Sequence, residues 1–194
     1  GATWAPSPNH GLRMMAPEAI VLHIAEGSMA GLDSWLPNPA SKVSAHFGIG
    51  KNGDIHQYVA LNKAAWGNGV VEPGASAALI AENGAANPNR WTVSIEHEGK
   101  FYSEPTPAQF EASVNLSAWL FKNVLLVAGA TDVAIDRKHI LRHGGISPVS
   151  RGNCPGWSEE TLALYVDRVY QLVMQPDTSA VKAKLREALA LLEK

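Results

Sequence analysis

Three side chains in this chain have the chemistry of transition-metal ligands. His23 lies inside the apolar run Ile20-Val21-Leu22-His23-Ile24. A histidine there is costly unless it is hydrogen-bonded or bound to something, so a structural role and a ligand role are both open. His143 ends the run Ile140-Leu141-Arg142-His143, just before a polar, Gly-containing loop at 144–156. Strand ends of this kind carry functional side chains into clefts. Cys154 follows in Asn153-Cys154-Pro155-Gly156, a turn that can hold a thiol rigidly; the other reading is an inert buried cysteine. A site built from these residues would draw on three distant segments. No His-Glu-x-x-His or Cys-x-x-Cys is present, so spacing alone does not assemble it.

The rest of the composition narrows the options. Cys154 is the only cysteine, against seven histidines. That excludes an internal disulfide and a four-thiolate zinc module, so any metal site must rely on His and carboxylate with one thiolate at most. The 194 residues suit one domain. With 46% apolar and 18% charged residues they can fill a sizeable core. A net charge of −2 gives no electrostatic case for nucleic-acid binding. No stretch approaches the roughly 18 apolar residues of a membrane span, so no membrane partner is expected. Gly1-Ala2-Thr3-Trp4-Ala5-Pro6 lacks the basic and apolar regions of a signal peptide, while the missing initiator Met leaves a removed signal open. Oligomeric state is not legible.

The elements that must position these residues are expected as follows. Residues 1–18 read as an extended arm. Ile20–Ile24, Val43–Gly50, Ile55–Val59, Trp91–Glu96 and Ile140–His143 read as strands, with Lys51-Asn52-Gly53-Asp54 as a hairpin turn. Residues 29–36 read as a short helix and 67–90 as a long Gly/Ala/Asn-rich loop. An amphipathic helix begins after Thr106-Pro107 with Phe110, Val114, Leu116, Ser117, Leu120, Phe121, Val124 and Leu125 on its face. Another spans 158–173 with Ser158 as its cap. Residues 175–179 read as a linker and 180–194 as a last amphipathic helix. The expected fold class is α/β, a mixed central sheet flanked by helices.

Four segments in register resemble the zinc-dependent N-acetylmuramoyl-L-alanine amidases, which share their fold with peptidoglycan recognition proteins. The first is Ile20-Val21-Leu22-His23. The second is Val43-Ser44-Ala45-His46-Phe47-Gly48-Ile49 with Asn52-Gly53-Asp54-Ile55, leading to Ala65-Trp66. The third is Val93-Ser94-Ile95-Glu96-His97-Glu98-Gly99. The fourth is Leu141-Arg142-His143-Gly144 through Cys154-Pro155-Gly156. The resemblance covers about residues 18–173 and implies a catalytic domain over 1–174, followed by 175–194 as linker and helix.

The resemblance implies a catalytic Zn2+ held by His23, His143 and Cys154, with an open position for water. Where part of the family places a Tyr, Ala45 stands here. The general base is then Glu96, with Glu98 as a competitor of the same strand parity. Many relatives carry a Lys two residues before the last ligand. Here that residue is Gly152, and Arg151 is the candidate to stabilise the oxyanion. His46 and Trp66 are candidates for substrate contact, although a Trp is more often core. His97 is read as structural or solvent-facing, and His139 as a competing ligand only on a helix.

The implied reaction is hydrolysis of the amide between N-acetylmuramic acid and L-alanine in bacterial peptidoglycan. The alternatives are a non-catalytic peptidoglycan-binding module and a zinc peptidase acting within the stem peptide. The segment 67–90 and the missing Lys resemble a phage endolysin more than a recycling enzyme. The former acts from the host cytoplasm on the wall, whereas an autolysin would have been secreted.

Overall fold

The computed structural model describes residues 1–84, 86–125 and 134–175. Eight short strands appear among them: β1 (Thr3–Trp4), β2 (His10–Leu12), β3 (Ala19–Ile24), β4 (Phe47–Ile49), β5 (Ile55–Gln57), β6 (Lys63–Ala65), β7 (Thr92–His97) and β8 (Ile140–Arg142). Five α-helices accompany them: α1 (Met29–Trp35), α2 (Ala78–Glu82), α3 (Pro107–Leu120), α4 (Pro148–Arg151) and α5 (Glu159–Met174). Six strands form one mixed sheet in the order β1-β5-β4-β7-β3-β8, and β2 pairs with β6 apart from it. β4, β7, β3 and β8 run parallel, and β5 returns antiparallel beside β4. The expected α/β class with a mixed sheet and flanking helices is what forms.

β7 and β3 are interior strands, flanked by β4 and β8, because their residues can be buried on both faces. All six residues of β3 are buried. Ile20 and Leu22, with Val93 and Ile95 of β7, face α3 and α5, where Val114, Leu120, Leu162, Tyr165 and Val169 complete the core. Full burial of each such aliphatic side chain stabilises by roughly 1.5–3 kcal/mol. On the opposite face Ala19 and Val21 pack with Leu79, Trp91, Leu141 and Ile146. Strand alternation then turns His23 toward this second face.

Local chemistry sets the element ends. The hairpin between β4 and β5 closes through Gly53, whose φ of 90° favours glycine and which a Cβ would bring to 3.0 Å from the Ala108 carbonyl. Thr106 caps α3 by accepting from the Gln109 amide, with Pro107 in the first turn. Ser158 caps α5 likewise at Thr161. The α3 helix continues as one wider turn over Phe121–Leu125.

Three expectations are corrected. The arm is not merely extended: its Thr3–Trp4 joins the main sheet and its His10–Leu12 pairs with β6. Arg13 holds it by donating to the carbonyls of Leu61, Lys63 and Thr92. The strand read over Val43–Gly50 is ladder only at Phe47–Ile49, because Ser44 bonds instead to Trp66 and the arm. The segment 67–90 contains α2 and a 3-10 turn at Pro88–Arg90. The helix expected over 180–194 lies outside the described residues. No helix among the described residues is long and apolar enough to cross a membrane.

Candidate active site

Strand register brings the first two ligand candidates together. β3 pairs with β7 so that His23 lies opposite Glu96. β3 pairs with β8 so that Leu22 lies opposite Arg142, which places the next residue, His143, level with His23. Laterally paired residues of a sheet share a face. Glu96, His23 and His143 thus form one row across β7, β3 and the end of β8. The two imidazole rings lie 4.3 Å apart between centroids. The row is at the carboxyl ends of the parallel strands, where open α/β sheets bind ligands.

Cys154 reaches the row through backbone bonds. Its amide donates to the Arg151 carbonyl (2.8 Å), and its carbonyl accepts from the Gly144 amide (3.0 Å). Gly144 is required here, since a Cβ would come within 2.6 Å of the Gly152 carbonyl. The Ile24 amide at the end of β3 donates to Cys154 Sγ (3.3 Å). One donor atom from each of His23, His143 and Cys154 lies within 4.8 Å of the other two, and all three residues are buried.

The electrostatics suit a soft divalent metal. Burial, then the neighbouring His143, holds His23 well below the usual imidazole range. Burial, then Arg151, lowers His143 to about 4. Both rings are therefore neutral near pH 7, with lone pairs free to ligate. Burial, then Glu96, pushes the Cys154 thiol up to about 12, so a metal taking Sγ must displace its proton. Two imidazoles and a thiol without a counter-charge of their own fit zinc.

Glu96 and Glu98 are told apart by their surroundings. Glu96 lies at the cleft floor with its Oε1 3.8 Å from His23 Nδ1. Its other oxygen is buried without a partner, and burial raises the carboxyl to about 7 against the opposing pull of Arg151. Glu98 instead accepts from the Lys51 amide (2.9 Å) at the hairpin and does not line the cleft.

The cleft above the row is about 290 Å³. Arg151 lines it as an exposed side chain whose guanidinium donates to the carbonyl of its neighbour Ser150. Trp66 also lines it, 40% exposed. Trp35 and Phe101 share this rim and were not foreseen from the sequence. Trp35 ends a helix of seven residues, too short for a periodicity argument. Phe101 is placed by Glu26, a left-handed residue (φ 54°) whose carboxylate accepts from the Phe101 amide.

His46 is not a cleft residue, contrary to the expectation of substrate contact. It is 1% exposed, with Arg13 Nη2 2.8 Å from its Nε2 and the Ser94 amide donating to its Nδ1 (3.1 Å). Burial, then Arg13, lowers it to about 3, so it is neutral, accepting from β7 at Nδ1 and donating from Nε2 to the Lys63 carbonyl of β6 (3.1 Å). His97 is structural and fully buried rather than solvent-facing. His139 is held by Asp136 (2.7 Å) outside the donor cluster.

Comparison with known proteins agrees with this geometry. Residues 13–157 match the N-acetylmuramoyl-L-alanine amidase family. The chain is 34% identical over 126 residues to N-acetylmuramoyl-L-alanine amidase A of Achromobacter lyticus, covering 63% of this chain and 60% of that protein. It thus spans about three fifths of the length of this curated relative. Among solved structures, AmpD superposes with a TM-score of 0.62 at 22% identity, covering 84% of this chain and 93% of that one. A mutant of PlyL gives 0.61 at 14%, covering 88% and 98%. At such identities these two speak for the fold. The family match takes in β3, β7, β8 and every residue of the proposed row and its thiol, and the chain belongs to the N-acetylmuramoyl-L-alanine amidase family.

Proposed function

We propose that this chain is a zinc hydrolase of bacterial peptidoglycan. It cleaves the amide between the lactyl group of N-acetylmuramic acid and L-alanine of the stem peptide. The observation that carries the reading is one cluster: two neutral imidazoles and a thiol within 4.8 Å, beside a carboxylate raised to about 7. His23, His143 and Cys154 would hold the metal. Zinc bound there supplies Lewis-acid polarisation of a carbonyl and activates water near neutral pH.

The remaining roles belong to the chain itself. Glu96 takes the proton from the attacking water and hands it to the leaving amine. A carboxyl that titrates near 7 is matched to both transfers. Arg151 brings positive charge to the cleft where the carbonyl oxygen becomes negative, standing in for the family's absent Lys. Trp66, with Trp35 and Phe101, offers apolar faces to a sugar ring or stem peptide.

Mass spectrometry of peptidoglycan digested with the zinc-loaded protein tests this reading. The expected products are stem peptides with a free N-terminal L-alanine and glycan strands with an unsubstituted lactyl group. Cuts inside the stem peptide would make the chain a peptidase. Sedimentation with the wall and no new products would make it a binding module.

A further inference from the structure

We propose that Glu72 is a positioning residue for the third metal ligand: its carboxylate caps α4 from outside and thereby holds the turn that presents Cys154. This rests on the zinc reading above.

The argument starts from what α4 lacks. One helical turn, Pro148–Arg151, bridges the stretch between His143 and Cys154. A single turn is not stable on its own, and its first amides have no partner within the helix. Pro148 has no amide proton, which leaves those of Val149 and Ser150. Ser147 stands where a capping side chain is usual, yet it makes no cap bond. Its hydroxyl donates instead to the Val70 carbonyl (2.5 Å). The first turn also holds no acid of its own. Glu72 supplies the missing acceptor: its Oε2 accepts from the Val149 amide (2.7 Å) and from the Ser150 amide (2.9 Å). Bonds of this kind to a charged oxygen are stronger than those to a hydroxyl.

Glu72 is itself fixed. It opens the turn Glu72-Pro73-Gly74-Ala75, in which the Ala75 amide donates to the Glu72 carbonyl (3.1 Å) and Gly74 takes a φ of 87° that favours glycine. The Glu72 amide donates to the Ile146 carbonyl (3.2 Å), and the Ser76 and Ala77 amides donate to the Gly145 carbonyl (2.9 and 3.0 Å). The segment after Trp66 is thus laced to the stretch that follows His143, and the Glu72 carboxylate extends the lacing to α4. From α4 the order passes to the thiol. The Arg151 amide donates to the Ser147 carbonyl (2.8 Å), and the Arg151 carbonyl accepts from the Cys154 amide (2.8 Å). A metal ligand held in place before the metal arrives loses no further freedom on binding.

The test uses the sole cysteine, because a thiol reagent then reads the opening of this turn. In the whole, zinc-free chain, the rate at which an aromatic disulfide reagent labels Cys154 is compared among the wild type, Glu72→Ala, Glu72→Gln and Glu98→Ala, with urea midpoints measured alongside. Glu72→Ala is expected to label about tenfold faster, the effect of losing a helix cap. Zinc release to excess chelator needs the same opening and is expected to quicken by a similar factor. Glu72→Gln keeps an acceptor oxygen and is expected to lie closer to the wild type than to Glu72→Ala. Glu98→Ala removes a carboxylate that bonds the Lys51 amide at the hairpin and is expected to label like the wild type. Wild-type labelling in Glu72→Ala, labelling that rises only in proportion to lost global stability, or a Gln variant no better than the Ala variant would each overturn the assignment. If Glu72→Ala does not fold, Glu72→Asp, which draws the carboxylate back by one methylene, is expected to label faster than the wild type, and no change there would overturn it. A wild-type chain that takes up no zinc would overturn the zinc reading, while labelling of the zinc-free chain would still decide whether Glu72 holds the turn.

Discussion

Two buried histidines stand almost back to back on the central sheet, and their surroundings differ in kind. His97 of β7 faces α3. Its Nδ1 donates to the His23 carbonyl (2.9 Å), and its Nε2 accepts from Ser113 Oγ (2.7 Å). Tyr165 joins Ser113 and Ser117 at 2.7 Å each, and Trp157 packs edge-on at 4.7 Å. His23 faces the cleft, 4.3 Å from a second imidazole, with Nε2 lacking a hydrogen-bond partner among the described residues. Burial holds both neutral near pH 7. One network is complete within the protein, and a complete network holds the fold together. The other has donor atoms to spare, and spare buried donors are a binding site in waiting.

Removing a member of the open cluster is expected to have the largest effect on activity. Cys154→Ala, or His23→Ala, should lose bound zinc by metal analysis and lower hydrolysis by about 10³-fold or more, with the far-UV circular dichroism unchanged. A folded variant that keeps zinc and full turnover would erase the distinction between the two histidines. Glu96→Gln should keep zinc and lower kcat by about 10²–10⁴-fold. Wild-type turnover in that variant would move the base elsewhere.

The closed network should answer in stability instead. His97→Ala leaves the His23 carbonyl and Ser113 without their partner and opens a cavity, so urea unfolding should show a loss of about 2–4 kcal/mol. Its folded fraction should still bind zinc. Loss of zinc without loss of stability would show that His97 acts on the site through the His23 carbonyl.

Acid sharpens the same contrast. His97 is lowered to about 4 in the folded chain, by burial. The unfolded chain titrates near 6.5, so between these values it binds more protons than the native state. Stability from this group is complete above about pH 6.5 and is lost as pH falls toward 4, on the order of 3 kcal/mol in all. His46, lowered to about 3, acts in the same direction. Urea midpoints of the zinc-stripped protein should fall from pH 7 to pH 5, with a shallower fall in His97→Gln. The smallest effect is expected for Glu98→Gln, within about twofold of wild-type activity, since its carboxylate serves the hairpin at Lys51.

Much of this was legible in the sequence because it is local. Apolar runs of branched residues mark β3 and β7, whose buried faces need them. Thr106-Pro107 and Ser158 mark the starts of α3 and α5. The polar face of α3 was harder to read. Gln109, Ser113 and Ser117 are buried although they are polar, because their partners come from the Ile49 and Glu98 carbonyls, His97 and Tyr165. A hydropathy pattern does not show partners on other elements, here 11 to 60 residues away. The arm escaped for the same reason, since Arg13 is satisfied only by distant carbonyls.

For the site, the sequence by itself determined the donors: one thiol, two imidazoles at strand ends, and two acids of equal parity on one strand. Residue type and spacing did not choose between ligand and core, because a side chain carries no mark of its neighbours; only the family resemblance singled out His23, His143, Cys154 and Glu96. Tertiary structure decided which of them stand together. Register put Glu96, His23 and His143 in one row, and the close approach at Gly144 brought Cys154 to it. The same packing removed His46 from the cleft and spent Glu98 on a turn. What the fold added was burial without a partner, a property of the assembled sheet that no single segment possesses.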